Sequence, residues 1–397
     1  MPMNRYYIFL FFLVFFHSSV FSQQTFGPQD GDRIVFLGNA LIENEQQFGF
    51  LEYQLTNYWP EKHLTFRNLG WSGDTVFGEA RSYYTNPPGP YDLLISQIKA
   101  AEPDWIIIGY GNVEAQEGAA RLSHFKAGLN QLLDSVEAIG AKAVLLSTIP
   151  QAIAGSEELM VKRNEELLLY NNTIAEISKN RDLAFIDVFN AFITPNQTEN
   201  YENNGVHLNE AGYLLFAETI MNQLMLTTEI PTFRIDASTA TIESNVPVEK
   251  ISMTDKSRRI SFNSTLQAPS KPVIKSQLNS QTITVGGLKR GIYTLSIGGK
   301  LQAIGSRKDW EEGVSLQQSP STQQSEQLLK LIREKDKIYF HQYRPQNRTY
   351  IIGFRSYEQG RHKEGLAALD ALIFWLDDQI NQAKKPLTLQ YLLEQLP

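Results

Sequence analysis

The stretch Ser72-Gly73-Asp74-Thr75 sets a hydroxyl, a glycine and a carboxylate side by side. Two more carboxylates close two other short stretches, Gly38-Asn39-Ala40-Leu41-Ile42-Glu43 and Gly109-Tyr110-Gly111-Asn112-Val113-Glu114. A fourth stretch, Asn204-Gly205-Val206-His207, contributes an imidazole. If the fold gathers Glu43, Asp74 and Glu114 into one cleft, those carboxylates could activate a water or hold a cation. Ser72, beside Gly73, offers a hydroxyl that could stand in as a nucleophile, and Trp71 and Tyr110 add aromatic surface to the same stretches. The six histidines, at positions 17, 63, 124, 207, 341 and 362, show no metal-ligand spacing, so neither a metal nor a cofactor is expected. Each residue also has an ordinary structural role open to it. Glu43 and Glu114 fit as loop caps and Ser72 as a loop hydrogen-bonding group. Gly73 fits a tight turn, and His207 fits a residue satisfied by backbone where a helix begins.

The elements that must carry these stretches are legible as alternating patterns. Short apolar runs at 33–37, 64–68, 105–110, 143–147 and 184–189 read as strands. Between them, 48–59, 91–101, 119–139 and 157–179 read as helices, and Phe125, Leu129, Leu132, Leu133 and Val136 share one helical face. Strands alternating with helices imply a parallel sheet covered on both sides. Working groups of such sheets collect at the carboxyl ends of the strands, where Asn39, Gly73 and Asn112 fall. From about Pro231 the texture becomes β-rich, which predicts a small β unit over 231–305. A Ser/Gln-rich stretch, 315–324, reads as a linker, and 327–337 and 366–384 read as helices that pack back on the first domain. If this last segment folds over the cleft, His341, Arg344, Arg355 and Arg361 would make an anion-friendly wall.

In order and spacing, the four stretches resemble the motif blocks of the SGNH (GDSL-type) hydrolase family over roughly Asp32 to Leu224. Those blocks read Gly-Asp-Ser-x-x-(Thr/Glu), a second ending in Ser-Gly-Asp-Thr, Gly-x-Asn-(Asp/Glu), and Asp-x-x-His followed by Leu-(Asn/Ser)-x-x-Gly-Tyr. The resemblance implies a flavodoxin-like three-layer α/β/α fold with a five-stranded parallel sheet. It also implies acyl transfer. A Ser attacks an ester, a His oriented by an Asp takes its proton, and the Ser N–H, the Gly N–H and an Asn side chain hold the oxyanion.

Carried over residue by residue, Gly73 and His207 match. Ala40 stands where the family has its nucleophilic Ser, Asn39 where it has Asp, and Asn204 where it has the orienting Asp. In the third block, Asn112 can take the oxyanion Asn position. The register that keeps Glu114 in place instead puts Val113 there, and this second alignment is favoured. A methyl group cannot attack a carbonyl, and losing one oxyanion donor costs about 3–4 kcal/mol of barrier. The expectation is therefore a protein related to carbohydrate O-acetyl or lipid ester hydrolases that lacks serine-type catalysis and binds a small-molecule or glycan ester. Asn39, Glu43, Trp71, Ser72, Asp74, Tyr110 and Glu114 would line the ligand cleft. Two alternatives stay open: an atypical esterase using His207 with water or Ser72, and a scaffold that presents the β unit.

Bulk properties narrow the partners. The 397 residues carry a formal net charge of −7, which argues against a phosphate-backbone binder. Arg5, the apolar run Ile8–Phe16 and Val20-Phe21-Ser22 read as a signal peptide over 1–22, giving a secreted or periplasmic protein. No later run is apolar enough to span a membrane. With no cysteine, the chain can form no disulfide and no thiolate metal site. The expected organisation is 23–230 for the α/β domain, 231–305 for a β-rich insertion and 306–397 for a C-terminal helical segment.

Overall fold

A computed structural model describes residues 25–82, 87–152, 156–193, 200–226, 231–254, 259–266, 281–316, 320–351, 353–358, 360 and 362–397. The signal-peptide reading of 1–22 and Arg361 lie outside them. The chain opens with β1 (Arg33–Gly38), α1 (Ala40–Glu45), α2 (Phe50–Tyr58), β2 (Thr65–Asn68), α3 (Pro90–Ala101) and β3 (Trp105–Gly109). It continues with α4 (Leu122–Ile139), β4 (Lys142–Leu146), α5 (Glu157–Asn180), β5 (Ala184–Ile186), α6 (Phe189–Phe192) and α7 (Glu210–Gln223). The five strands form one parallel sheet in the order β2-β1-β3-β4-β5.

Alternate residues of each strand enter two separate cores, because successive side chains point to opposite faces of a sheet. Ile34, Phe36, Ile107 and Val144 pack with α2 and α7 through Phe50, Leu55, Phe216 and Ile220. Val35, Leu37, Ile106 and Leu145 pack with α3, α4 and α5 through Ile98, Leu132, Ile174 and Ile177. The expected three-layer α/β arrangement is therefore present. Full burial of each such aliphatic chain is worth roughly 1.5–3 kcal/mol. Since β2 and β3 flank β1, the chain leaves β1 in opposite directions across the sheet. That topology opens a crevice at the strands' carboxyl ends.

The β unit is larger than the 231–305 expected. It comprises β6 (Thr232–Asp236), β7 (Thr241–Ser244), β8 (Val248–Thr254), β9 (Arg259–Leu266), β10 (Gln281–Gly286), β11 (Ile292–Ile297) and β12 (Lys300–Ser306). After α8 (Arg307–Glu312) come β13 (Val314–Leu316) and, near the chain's end, β14 (Leu387–Gln395). Two sheets result, β13-β10-β6-β7 and β12-β11-β14-β9-β8. They share a core that contains Phe233, Phe262, Leu295, Trp310 and Tyr391. The reading of 306–397 as a helical segment is corrected accordingly, since β14 sits between β9 and β11.

The remaining α-helices are α9 (Pro320–Tyr343), α10 (Arg348–Ile351) and α11 (His362–Ala383). Of the expected linker at 315–324, residues 315–316 end β13, 317–319 lie outside the described residues and 320–324 open α9, with Pro320 as its first residue, a position where the missing N–H has no helical partner to lose. Helices α9 and α11 pack back on the α/β domain. Leu328, Ile332 and Ile380 join one core, and Tyr339 and Ile373 the other. A buried polar seam accompanies this packing. Arg67 reaches both carboxylate oxygens of Asp377, at 3.3 and 2.8 Å, and Lys335 donates to both oxygens of Glu52. No helix among the described residues is long and apolar enough to cross a membrane.

Candidate functional site

The crevice is built by glycine-mediated close approaches. A Cβ on Gly38 would fall 2.4 Å from the Gly109 carbonyl oxygen, so the end of β1 can lie this close to β3 because position 38 is glycine. Directly after β1, Asn39 caps α1, its Oδ1 accepting from the Leu41 N–H at 3.1 Å. Asn39 is buried, and its Nδ2 meets no acceptor among the described residues. Ala40 is the first helical residue and is partly exposed. The second loop lies on α1, where a Cβ on Gly70 would meet the Glu43 amide nitrogen at 2.2 Å. Trp71 N–H donates to the Gly38 carbonyl at 2.9 Å, and Ser72 N–H donates to Glu43 Oε2 at 2.5 Å. Gly73 has φ +77°, in the left-handed region, with open space where a Cβ would stand. Neither its N–H nor that of Ala40 donates to any protein group among the described residues.

Several residues expected at the ligand surface lie beneath it. Asp74 is fully buried, taking hydrogen bonds from Arg81 Nε at 2.8 Å, Tyr110 hydroxyl at 2.9 Å and Ala80 N–H at 3.2 Å. Burial, with the Asp74 carboxylate beside it, holds the Tyr110 phenol well above its usual range. Trp71 is covered by the guanidinium groups of Arg344 and Arg348, at 4.4 and 4.7 Å from its ring centroid. Asn39, Trp71, Asp74 and Tyr110 therefore shape the crevice from below rather than line it. Proximity to a motif in sequence says nothing about which side of the loop a side chain takes.

The proposed carboxylate cluster also comes apart, because each acid has its own partner. Glu43 takes Ser72 N–H and Arg344 Nη1, Asp74 takes Arg81, and Glu114 takes the N–H groups of Val76 and Gly111, both at 2.9 Å. Burial pushes Glu114 up to about 7, against the lowering effect of its backbone bonds. Among the described residues no group of three or more His, Asp or Glu could hold a metal ion.

The third block faces two ways. Asn112 turns to the loop after β4, its side chain meeting the Ile149 backbone at 3.3 and 3.4 Å, while Arg163 binds its carbonyl at 2.9 Å. Val113 stands with Gly73 in the wall of a cavity of about 260 Å³. The other wall residues Phe77, Glu79, Gln116 and Glu117 carry no motif signal, and only the folded chain brings them there.

The fourth block determines a tautomer. Asn204 Oδ1 accepts from Val206 N–H at 3.2 Å and His207 N–H at 2.9 Å. With its oxygen committed to backbone, Asn204 turns Nδ2 toward His207 Nδ1, at 3.3 Å. An amide NH₂ can only donate, so Nδ1 must accept and the ring proton belongs on Nε2. An Asp in this position would accept with both oxygens and leave Nε2 free as a base. His207 is exposed, and Ser72, also exposed, makes no hydrogen bond to it. From the C-terminal arm, Arg344 and Tyr343 do reach the crevice, Tyr343 hydroxyl donating to the Gly70 carbonyl. Arg355 instead pairs with Glu358, and His341 is exposed beside Phe340.

Residues 34–215 match the model of the GDSL-like Lipase/Acylhydrolase family. No curated protein matches the chain in sequence. Among solved structures, BT4096, a gut microbial diltiazem-metabolizing enzyme, superposes with a TM-score of 0.71 at 15% identity, covering 94% of this chain and 100% of its own. An acetylxylan esterase from Geobacillus stearothermophilus gives a TM-score of 0.39 at 17% identity, over 49% of this chain and 95% of its own. LAE5, an alpha/beta hydrolase enzyme from the metagenome of Lake Arreo, Spain, gives 0.40 at 16%, over 51% of this chain and 98% of its own. The first of these extends the structural likeness beyond the α/β domain to almost the entire chain, as a likeness of fold. On that family match, which spans residues 34–215, the α/β part of this chain belongs to the GDSL-like lipase/acylhydrolase (SGNH) family.

Proposed function

We propose that this chain is a GDSL-family protein that holds an ester-bearing ligand in its crevice without hydrolysing it by a serine route. The reading rests on Ala40, the first residue of α1, which stands where the motif resemblance expects the nucleophilic Ser and whose methyl group has no lone pair to offer. The Asn204–His207 geometry supports it, because a ring protonated on Nε2 cannot take a proton there. The N–H groups of Ala40 and Gly73, which meet no protein acceptor among the described residues, supply donors for a ligand carbonyl. The apolar run at 8–16 supports action outside the cytoplasm.

The test pairs turnover with binding. Wild-type protein is expected to release acetate from p-nitrophenyl acetate and from an O-acetylated oligosaccharide no faster than His207→Ala does. Calorimetry with the oligosaccharide is expected to show saturable binding to both. Turnover by the wild type that disappears in His207→Ala overturns the proposal in favour of an atypical esterase.

A further inference from the structure

Between Gly73 and Val113 the crevice deepens into the cavity of about 260 Å³. Phe77 and His124 stack nearly flat on one side of it, ring centroids 4.4 Å apart and 17° from parallel. Phe77 is braced from behind by Gly128, where a Cβ would come within 2.3 Å of its ring. The aromatic wall is thus fixed before any ligand arrives. Polar groups of both senses surround it. Gln116 brings a donor and an acceptor, Glu117 is bonded to Arg121 at 3.1 Å, and Glu79 takes the Thr75 hydroxyl at 2.7 Å.

That mixture discriminates between the two ester classes this fold could accommodate. A fatty acyl chain entering here would strip water from the Glu79, Gln116 and Glu117 side chains and return no hydrogen bond, and a polar group left unsatisfied on burial is penalised. A free anion would meet the carboxylates of Glu79 and Glu117, and the wall's arginine, Arg121, is already paired with Glu117. A hydroxylated ring offers donors and acceptors around its edge and an apolar C–H face for the aromatic wall, the pairing of apolar surface with a few placed polar groups expected of a small-molecule site. We infer that this cavity is a sugar-ring subsite. The ligand is a glycan ester whose ring lies against Phe77 and His124, with its hydroxyls meeting Gln116 and Glu117. The inference rests on the reading that the crevice holds an ester. It goes further in choosing sugar over lipid and in assigning residues that the family's motif blocks do not contain.

The experiment is titration calorimetry on the full chain with three probes: an O-acetylated cello-oligosaccharide, the same oligosaccharide deacetylated, and p-nitrophenyl octanoate. Wild-type protein binds the acetylated sugar, binds the deacetylated one more weakly, and does not bind the octanoate ester. Gln116→Ala and His124→Ala, both at exposed positions that leave the core intact, each weaken sugar binding about tenfold. Phe77→Ala weakens it further, with the circular dichroism spectrum checked for folding. Binding of the octanoate ester in preference to the sugars, binding of none of the three, or sugar affinity unchanged in both Gln116→Ala and His124→Ala overturns the inference. Acetate release is followed in the same cells. Turnover with intact sugar specificity would overturn the non-hydrolytic reading and leave the subsite standing.

Discussion

Two substitutions should convert this crevice into an esterase, and their separate effects can be worked out from the geometry. In Asn204→Asp, one carboxylate oxygen keeps the two backbone N–H bonds that Asn204 Oδ1 now takes at 3.2 and 2.9 Å. The other oxygen replaces an NH₂ now 3.3 Å from His207 Nδ1, so the ring proton moves to Nδ1 and Nε2 becomes a base. In a serine protease the reverse exchange, Asp to Asn, costs about ten-thousandfold in turnover, equivalent to about 5.4 kcal/mol of barrier. Ala40→Ser supplies the nucleophile, whose removal from a working triad costs about a millionfold. These effects do not add, because nucleophile and base act as a unit. Asn204→Asp alone should stay at the wild-type level, Ala40→Ser alone should rise slightly, and the double variant should exceed Ala40→Ser by about three to four powers of ten in kcat/KM for p-nitrophenyl acetate. Nitrogen-15 spectra of the His207 ring provide an independent readout, with the proton on Nε2 in the wild type and on Nδ1 in Asn204→Asp. A wild-type ring already protonated on Nδ1 would refute the tautomer argument. A double variant no better than Ala40→Ser would show that the imidazole is not placed to serve position 40.

Three further outcomes follow from the supporting structure. Glu114 sits at about 7 against an ordinary value of 4.5, so its protonated form is favoured by folding, and the stability it contributes is complete below pH 4.5 and lost as pH rises through 7. Urea titrations of wild type and Glu114→Gln should therefore show the wild type losing about 3 kcal/mol relative to the variant between pH 4.5 and 8. Arg67→Met, which strands Asp377 in a buried site, should destabilise the protein by about 3–5 kcal/mol, read as a lowered Tm. Gly70→Ala drives a methyl into the backbone of α1 at 2.2 Å from the Glu43 nitrogen and should cost about 3 kcal/mol, with weaker binding of the acetylated sugar in calorimetry.

The α/β domain was readable because its signals are local. Strands buried on both faces are unbroken apolar runs, as in Trp105–Gly109, and the helices between them show one apolar face. The motif blocks were readable for the same reason, since each is a contiguous loop. The direction of individual side chains was not. Asp74 and Glu43 have similar settings in sequence, yet one is sealed beneath Arg81 and Tyr110 and the other staples two loops with Arg344. Position 344 is 301 residues from position 43, and no local pattern links them. The same holds for Phe77 and His124, whose stacking depends on α4 crossing behind the second loop. The β unit's limits were misjudged because β14 follows two long helices and pairs with strands about a hundred residues earlier.

That pairing also orders events during synthesis. The middle strand of the five-stranded sandwich sheet is the last element of the sequence, behind α9 and α11. Strands β9 and β11 must wait, with their inner edges open, while some ninety residues of later chain emerge and the helices find the α/β domain. Long-range closure of this kind is slow and leaves unpaired edges open to wrong partners. Docking of the helices would shorten that wait, because it delivers Leu387 to the gap already tethered, so the sandwich should mature only after its neighbour has.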